Sequence, residues 1–173
     1  MMKNERKGFT LIEILIVVAI IAILASVVLV GLGPTQEAGR DARRISDLHE
    51  VQNGLELYYN SCGYYPGGYA AGACANTATT GYSSGATPMN TALTSAGLQI
   101  STVPLDPSNT APHVYGYATN GATATQYVLS AVLENAGNTV FSSYTGLTAG
   151  QIAVYTSGNV PASCAAPNYC VTL

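Results

Sequence analysis

Residues 14–30 read ILIVVAIIAILASVVLV, an aliphatic run in which Ser26 is the lone polar side chain. As an α-helix rising about 1.5 Å per residue, Phe9 to Val30 covers roughly 33 Å, enough for one bilayer crossing. Lys3, Arg6 and Lys7 precede the run, so the positive-inside rule keeps that end cytoplasmic and sends the remainder outside. A cleavable secretory signal has a shorter apolar core of about 7–15 residues with a small-residue cleavage site after it, and neither fits here. Glu13 is the exception within the span. A carboxylate in hydrocarbon costs several kcal/mol, on the order of 3, unless it is paired.

The residues KGFTLIE at 7–13 resemble the cleavage and methylation signature of type IV pilins and type II secretion pseudopilins. That resemblance implies cleavage after Gly8 by a prepilin peptidase and methylation of the new amine on Phe9. It further implies that Glu13 meets the Phe9 amine of a neighbouring subunit during assembly. A buried carboxylate and a buried ammonium each need the other, so such a pair sets register between copies. The expected layout is a leader over 1–8, a membrane and filament-core helix over 9–32, an amphipathic helix over 33–60 and a β-rich head over 61–173. The expected fold class is α+β: a long N-terminal helix packed on a C-terminal antiparallel sheet, the pilin fold.

Charge is distributed unevenly. The formal net charge is −3, yet all six basic residues lie at or before Arg44, and beyond Tyr59 the charged side chains are Asp106 and Glu134. Removal of Met1–Gly8 leaves three arginines against eight acids, because Lys3, Arg6, Lys7 and Glu5 depart. No basic patch exists outside the first helix, which disfavours a phosphate-tracking nucleic-acid surface. The distal half is Thr, Ser, Asn, Gly, Ala and Tyr, an ordered uncharged composition with aromatics enough to pack. The Thr/Ser-rich stretch 77–87 is a candidate for O-glycosylation. Cys62, Cys74, Cys164 and Cys170 all fall in the exported part, and an even count there favours disulfides. Three pairings are possible. The short spacings favour Cys62–Cys74 and Cys164–Cys170, and spacings of 12 and 6 are poor for zinc.

Gly31, Gly33 and Pro34 predict either a helix break, because proline removes a donor and clashes one turn back, or a mere membrane-to-water boundary. The resemblance likewise implies an unwound segment there. From about Gln36 a second helix is expected, with Ala38, Ala42, Ile45, Leu48, Val51 or Gln52, Leu55 and Tyr58 as its apolar stripe. Glu37, Arg40, Asp41, Arg43, Arg44, Asp47, Glu50 and Glu56 are assigned to solvated faces, with Arg43–Asp47 and Glu37–Arg40 as local pairs. The stretch RDARRISDLHEVQNGLELYYNSCGYYP resembles the helix-to-head junction of the same family. SCGYYPGGY ends the helix near Asn60, and 61–110 reads as a long connection with a short helix near Asn90–Ala96. Strand signals fall at His113–Ala118, Gln126–Leu133, Val140–Tyr144 and Gln151–Thr156. VPLDPSN is similar to the Asp-Pro step before the pseudopilin sheet, and SCAAPNYC to the disulfide-closed C-terminal loop of pilin heads.

Catalytic chemistry finds little footing. His49, His113, Asp106 and Glu134 are the available groups, and none belongs to a nucleophile, phosphate-loop or metal-ligand motif. Asp106, between Leu105 and Pro107, reads as a turn former. The resemblance therefore implies a non-enzymatic subunit, without cofactor or metal, that forms a homo-oligomeric helical filament. Its partners would be the bilayer, the prepilin peptidase and an inner-membrane assembly platform. It would start as a bacterial inner-membrane precursor and end in a cell-surface pilus. The other readings are a type II secretion pseudopilin and a minor pilin acting as adhesin or DNA-uptake receptor.

Overall fold

The computed structural model describes residues 8–67, 74, 88–95, 102–142, 144, 146–155 and 157–173. Residues 1–7 of the expected leader and the candidate glycosylation stretch 77–87 lie outside them. The chain divides into two compact units, the first ending at Glu37 and the second running from Ala38 to Leu173.

One helix, α1 (Leu11–Cys62), contributes to both. In the first unit its side chains are aliphatic on every face and exposed, as in Leu11, Leu15, Ile20 and Leu24. A helix that is apolar all round has no amphipathic solution in water. By length and composition this half of α1 can cross a membrane. The break expected at Gly31, Gly33 and Pro34 is absent, because helix runs unbroken through all three and Pro34 lies inside α1. A proline deletes a single donor and favours a bend. One missing donor is compatible with the helical bonds on either side, and the helix continues through it.

Within the second unit, α1 lies against a four-stranded antiparallel sheet. Its strands are β1 (Gly116–Thr119), β2 (Tyr127–Val132), β3 (Ser157–Asn159) and β4 (Asn168–Thr172), in the order β3-β1-β2-β4. Gly116 pairs with Ser130 and Ser130 with Cys170, which places β2 centrally. Strand alternation then sorts the faces. Tyr115, Tyr117, Tyr127, Leu129, Ala131 and Leu133 face α1, where they meet Leu48, Val51, Leu55 and Tyr58. The opposite face carries Ala118, Val128 and Cys170, covered by Ile152 and Cys164. The fold is α+β, a long helix on a C-terminal antiparallel sheet. α1 ends where Gly63 takes φ 78° and returns its N–H to the Tyr59 carbonyl at 2.7 Å, the left-handed stop that suits glycine. A short helix α2 (Pro88–Ser95) adds Met89, Ala92 and Leu93 to the same core.

Two expected strands are helical turns instead. Residues Thr139–Ser142 form a 3₁₀ turn, because the Asn138 side chain accepts the Val140 N–H and the Asn138 carbonyl accepts that of Phe141. Ala149–Ile152 form α3, whose Thr148 and Gln151 exchange capping bonds. In both places local polar groups outweigh β-branched composition. The sheet is completed by β4, inside the segment read as a C-terminal loop. Cys62 is bonded to Cys74 and Cys164 to Cys170, each with Cα atoms 5.7 Å apart.

The cover on the outer face rests on a glycine. A Cβ added at Gly146 would sit 2.0 Å from the Cys164 carbonyl oxygen and 2.9 Å from the Tyr144 ring. Backbone cannot yield as a side-chain tip can, so Gly146→Ala is expected to cost at least the roughly 1–3 kcal/mol of core overpacking. Gly150→Ala, with nothing within 4 Å, is expected to leave stability within about 0.5 kcal/mol. Denaturant midpoints of the full chain in detergent micelles check both.

Candidate assembly sites

Thr10 and Glu13 organise the start of α1. The Thr10 N–H and hydroxyl both donate to Glu13 Oε2 at 2.8 Å, and the Glu13 N–H returns to Thr10 Oγ1 at 3.3 Å. This reciprocal pattern is a capping box, with Thr10 as N-cap and Glu13 three residues in. It satisfies donors that every helix start leaves over. The sequence carried the signal as Thr-x-x-Glu. Phe9 precedes the cap, 85% exposed, and Gly8 and Phe9 both lie outside the helix. Glu13 Oε1 has no hydrogen bond among the described residues.

The second site is inside the head. Arg44, assigned to a solvated face by its charge, is fully buried, and so is Asp41. Its five N–H groups all find acceptors. Nε donates to Asp106 Oδ2 at 2.7 Å and Nη2 to Asp106 Oδ1 and Ser108 Oγ at 3.1 Å. Nη1 donates to Asp41 Oδ1 at 2.9 Å and Glu134 Oε1 at 2.7 Å. Arg40 clamps Glu134 from the other side, through Nε at 2.7 Å and through Nη2. Asp41 also accepts the backbone N–H groups of Glu134 and Asn135, at 2.9 and 3.0 Å. Two guanidiniums thus face three carboxylates, and backbone dipoles absorb the residual negative charge.

The face that α1 buries is accordingly Asp41, Arg44, Asp47, Leu48, Val51, Gly54, Leu55 and Tyr58, and Ala42 is exposed. Asp47, also assigned to a solvated face, is buried because it accepts the Tyr115 hydroxyl. Hydrophobicity alone put Ala38 and Ala42 at the head of that stripe. Charge obscured the true phase, since polar partners from the Asp106 and Glu134 loops make burial of Arg44 tolerable. The expected Glu37–Arg40 pair gives way to Arg40–Glu134, and Arg43 lies 3.8 Å from Asp47. Asp106 does form a turn, accepting the Ser108 N–H at 2.8 Å, while it holds Arg44.

The electrostatics follow this geometry. The Arg40 hydrogen bonds lead in holding the Glu134 carboxyl down at about 2, with Arg44 helping against partial burial. Burial pushes the Asp106 carboxyl up, but Arg44 and Ser108 outweigh it and leave it below its ordinary range. Burial disfavours the Arg44 cation, and the bonds to Asp106, Glu134 and Asp41 more than restore it. Elsewhere, Tyr65 and Tyr127 both donate to Glu56, at 3.1 and 3.3 Å, and burial pushes both phenols up. His113 Nδ1 lies 3.0 Å from the Val132 carbonyl, and exposed His49 is 3.3 Å from Gln52. Among the described residues no group of three or more His, Cys, Asp and Glu side chains is placed to hold a metal ion.

Removing Arg44 would strand Asp41 and Asp106 in the interior. Arg44→Ala is expected to destabilise the head by about 3–5 kcal/mol, the cost of breaking a buried ion pair. The pH dependence has a definite sign. Glu134 and Asp106 have folded pKa values below their unfolded ones, so their contribution is present above the ordinary carboxylate range. It is lost as pH falls from 4.5 towards about 2, and Arg44→Ala should flatten that part of the profile. Denaturant titrations at a series of pH values check both.

Residues 3–29 match the model of the prokaryotic N-terminal methylation motif. The chain is 35% identical over 66 residues to type II secretion system core protein G of Aeromonas hydrophila, covering 38% of this chain and 46% of that protein. Similarity to the protein of the same name is 35% over 63 residues in Escherichia coli strain K12, covering 36% and 43%. It is 37% over 67 residues in Vibrio cholerae, covering 38% and 46%. The chain spans under half the length of these curated relatives. No solved structure matches it. Over its N-terminal third the chain thus carries the prepilin methylation motif and is similar to type II secretion pseudopilins, which supports the type IV pilin and pseudopilin family.

Proposed function

We propose that this protein is a structural subunit of a pilin-like filament of the type II secretion pseudopilin kind, assembled out of the inner membrane. The observation that carries the reading is the methylation motif joined to an apolar helix with every face exposed. Such a helix needs either lipid or copies of itself, and extraction into a bundle exchanges the first for the second. The relatives named type II secretion system core protein G favour the pseudopilin kind over a surface pilus. A surface type IV pilus subunit remains the second reading, favoured by the disulfide-closed segment between Cys164 and Cys170. Either role is mechanical rather than catalytic. Asp106 and Glu134, the head's remaining acids beyond Tyr59, are already engaged by arginines.

Cleavage after Gly8 by a prepilin peptidase would free the Phe9 amine. The chain has no lysine after Lys7, so that amine would be the mature subunit's one ammonium. Glu13 is its natural counter-ion in a neighbouring copy. The capping box does not compete with this role, because both Thr10 donors use Oε2 and leave Oε1 open. Glu13→Val is expected to be cleaved normally yet to yield no filaments, and abundant filaments from that variant would sink the assembly role. Intact mass supplies the companion measurement. Recovered filament protein should begin at Phe9, carry one added methyl group and retain both disulfides. Filaments sheared from the cell surface would favour the pilus, and filaments confined beneath the outer membrane the pseudopilin.

A further inference from the structure

Within the head, α1 keeps one face uncovered. Ala42, Arg43, Ser46, His49, Glu50 and Asn53 are exposed along it, opposite the stripe that binds the sheet. Its charges are sparse and specific. After Lys7 the chain's only cationic side chains, histidines aside, are Arg40, Arg43 and Arg44. Arg44 is buried and Arg40 is clamped on Glu134, while the Arg43 side chain is 65% exposed. Its neighbour Asp47 is largely buried, accepts the Tyr115 hydroxyl at 2.7 Å and stands 3.8 Å from Arg43. Glu50 follows Arg43 by seven residues, two helical turns, on nearly the same line and about 10.5 Å along the axis.

We propose that this face of α1 is the head-level contact with a second copy of the chain, with Arg43 of one copy paired to Glu50 of the next. The inference rests on the filament reading and deepens it by naming a contact outside the apolar segment. The argument is charge complementarity. Every copy is inserted the same way up by the same apolar run, so neighbouring helices are parallel. Parallel copies in register would set Arg43 against Arg43 and Glu50 against Glu50. An axial stagger of seven residues sets each cation against an anion. Small Ala42 and Ser46 flank Arg43 and let the backbones approach. An exposed ion pair adds little strength, and its contribution is to register.

The test uses the full chain in membranes, with two differently tagged copies co-expressed. Ala42→Cys in one and His49→Cys in the other sit level at this stagger and leave Arg43 and Glu50 intact. The native cysteines are all bonded, so the new thiols report the contact. Mild oxidation should give a mixed 42–49 dimer at least fivefold above either same-site dimer. Adding Arg43→Glu to both copies should lower it at least fivefold, and adding Glu50→Arg as well should restore it to within twofold. Absence of the mixed dimer, indifference to Arg43→Glu, or failure of the double reversal to restore it would each overturn the contact. Filament formation by the wild-type chain is scored separately. Filaments without the mixed dimer would reject the contact and keep the filament, whereas the mixed dimer without filaments would do the reverse.

Discussion

A guanidinium without access to water has to find acceptors for all five N–H groups inside the fold. Arg44 meets that demand with two loops that are far from it in sequence. Asp106 arrives from the segment before β1, and Glu134 from the turn after β2. The cluster is thus the point at which helix, sheet entry and sheet exit are tied to one another. Hydrophobic contacts in the core that holds Leu48, Tyr115 and Leu133 are tolerant of sliding, since burial is roughly indifferent to which apolar atoms meet. Five directional bonds on one planar group are not. The core supplies the driving force for packing and the arginine fixes where α1 sits on the sheet.

The same helix answers to two different solvents. From Ile14 to Leu32 its residues are aliphatic or glycine apart from Ser26, with Thr10 and Glu13 spent on the N-cap. After Ala38 it has a buried side and an open side, and the open side is polar without being strongly charged. Neither half reads as a free-standing water-soluble helix. The first lacks a polar face, and the second is stabilised by a sheet that follows it in the chain. This division explains why the helix passes Gly31, Gly33 and Pro34 without a change of element. Those residues mark where the aliphatic run gives way, and that change of composition does not require the backbone to leave helical geometry.

Much of this was legible from the residues. The apolar run, Glu13 as the exception within it, the α+β class and the strands carrying Tyr117 and Val128 all follow from composition and period. What sequence missed on the helix has one cause. Asp41 and Arg44 look like surface residues until Asp106 and Glu134 are brought to them, and no local pattern announces partners 62 and 90 residues away. The failures at Val140 and Gln151 are the converse, where a nearby Asn138 or Thr148 supplied a local hydrogen bond that strand composition does not record. Strand β4 was hidden because Cys170 and Pro167 dominate the reading of its segment.

The chain's economy of charge links these observations. Of the three arginines that survive the expected cleavage, two are consumed in fixing the head on its helix. Long-range attraction therefore has little to act on over the rest of the surface. Association of copies must then rely on shape and apolar burial for strength, and on very few charges for register. A distal sequence rich in Thr, Ser and Asn suits that division. It hydrogen-bonds to water while a subunit is single, and it can be covered by an identical neighbour without stranding an ion. A single misplaced charge on such a surface has no nearby opposite charge to absorb it, so register errors are penalised more sharply than on an ordinary protein surface laced with mixed charge.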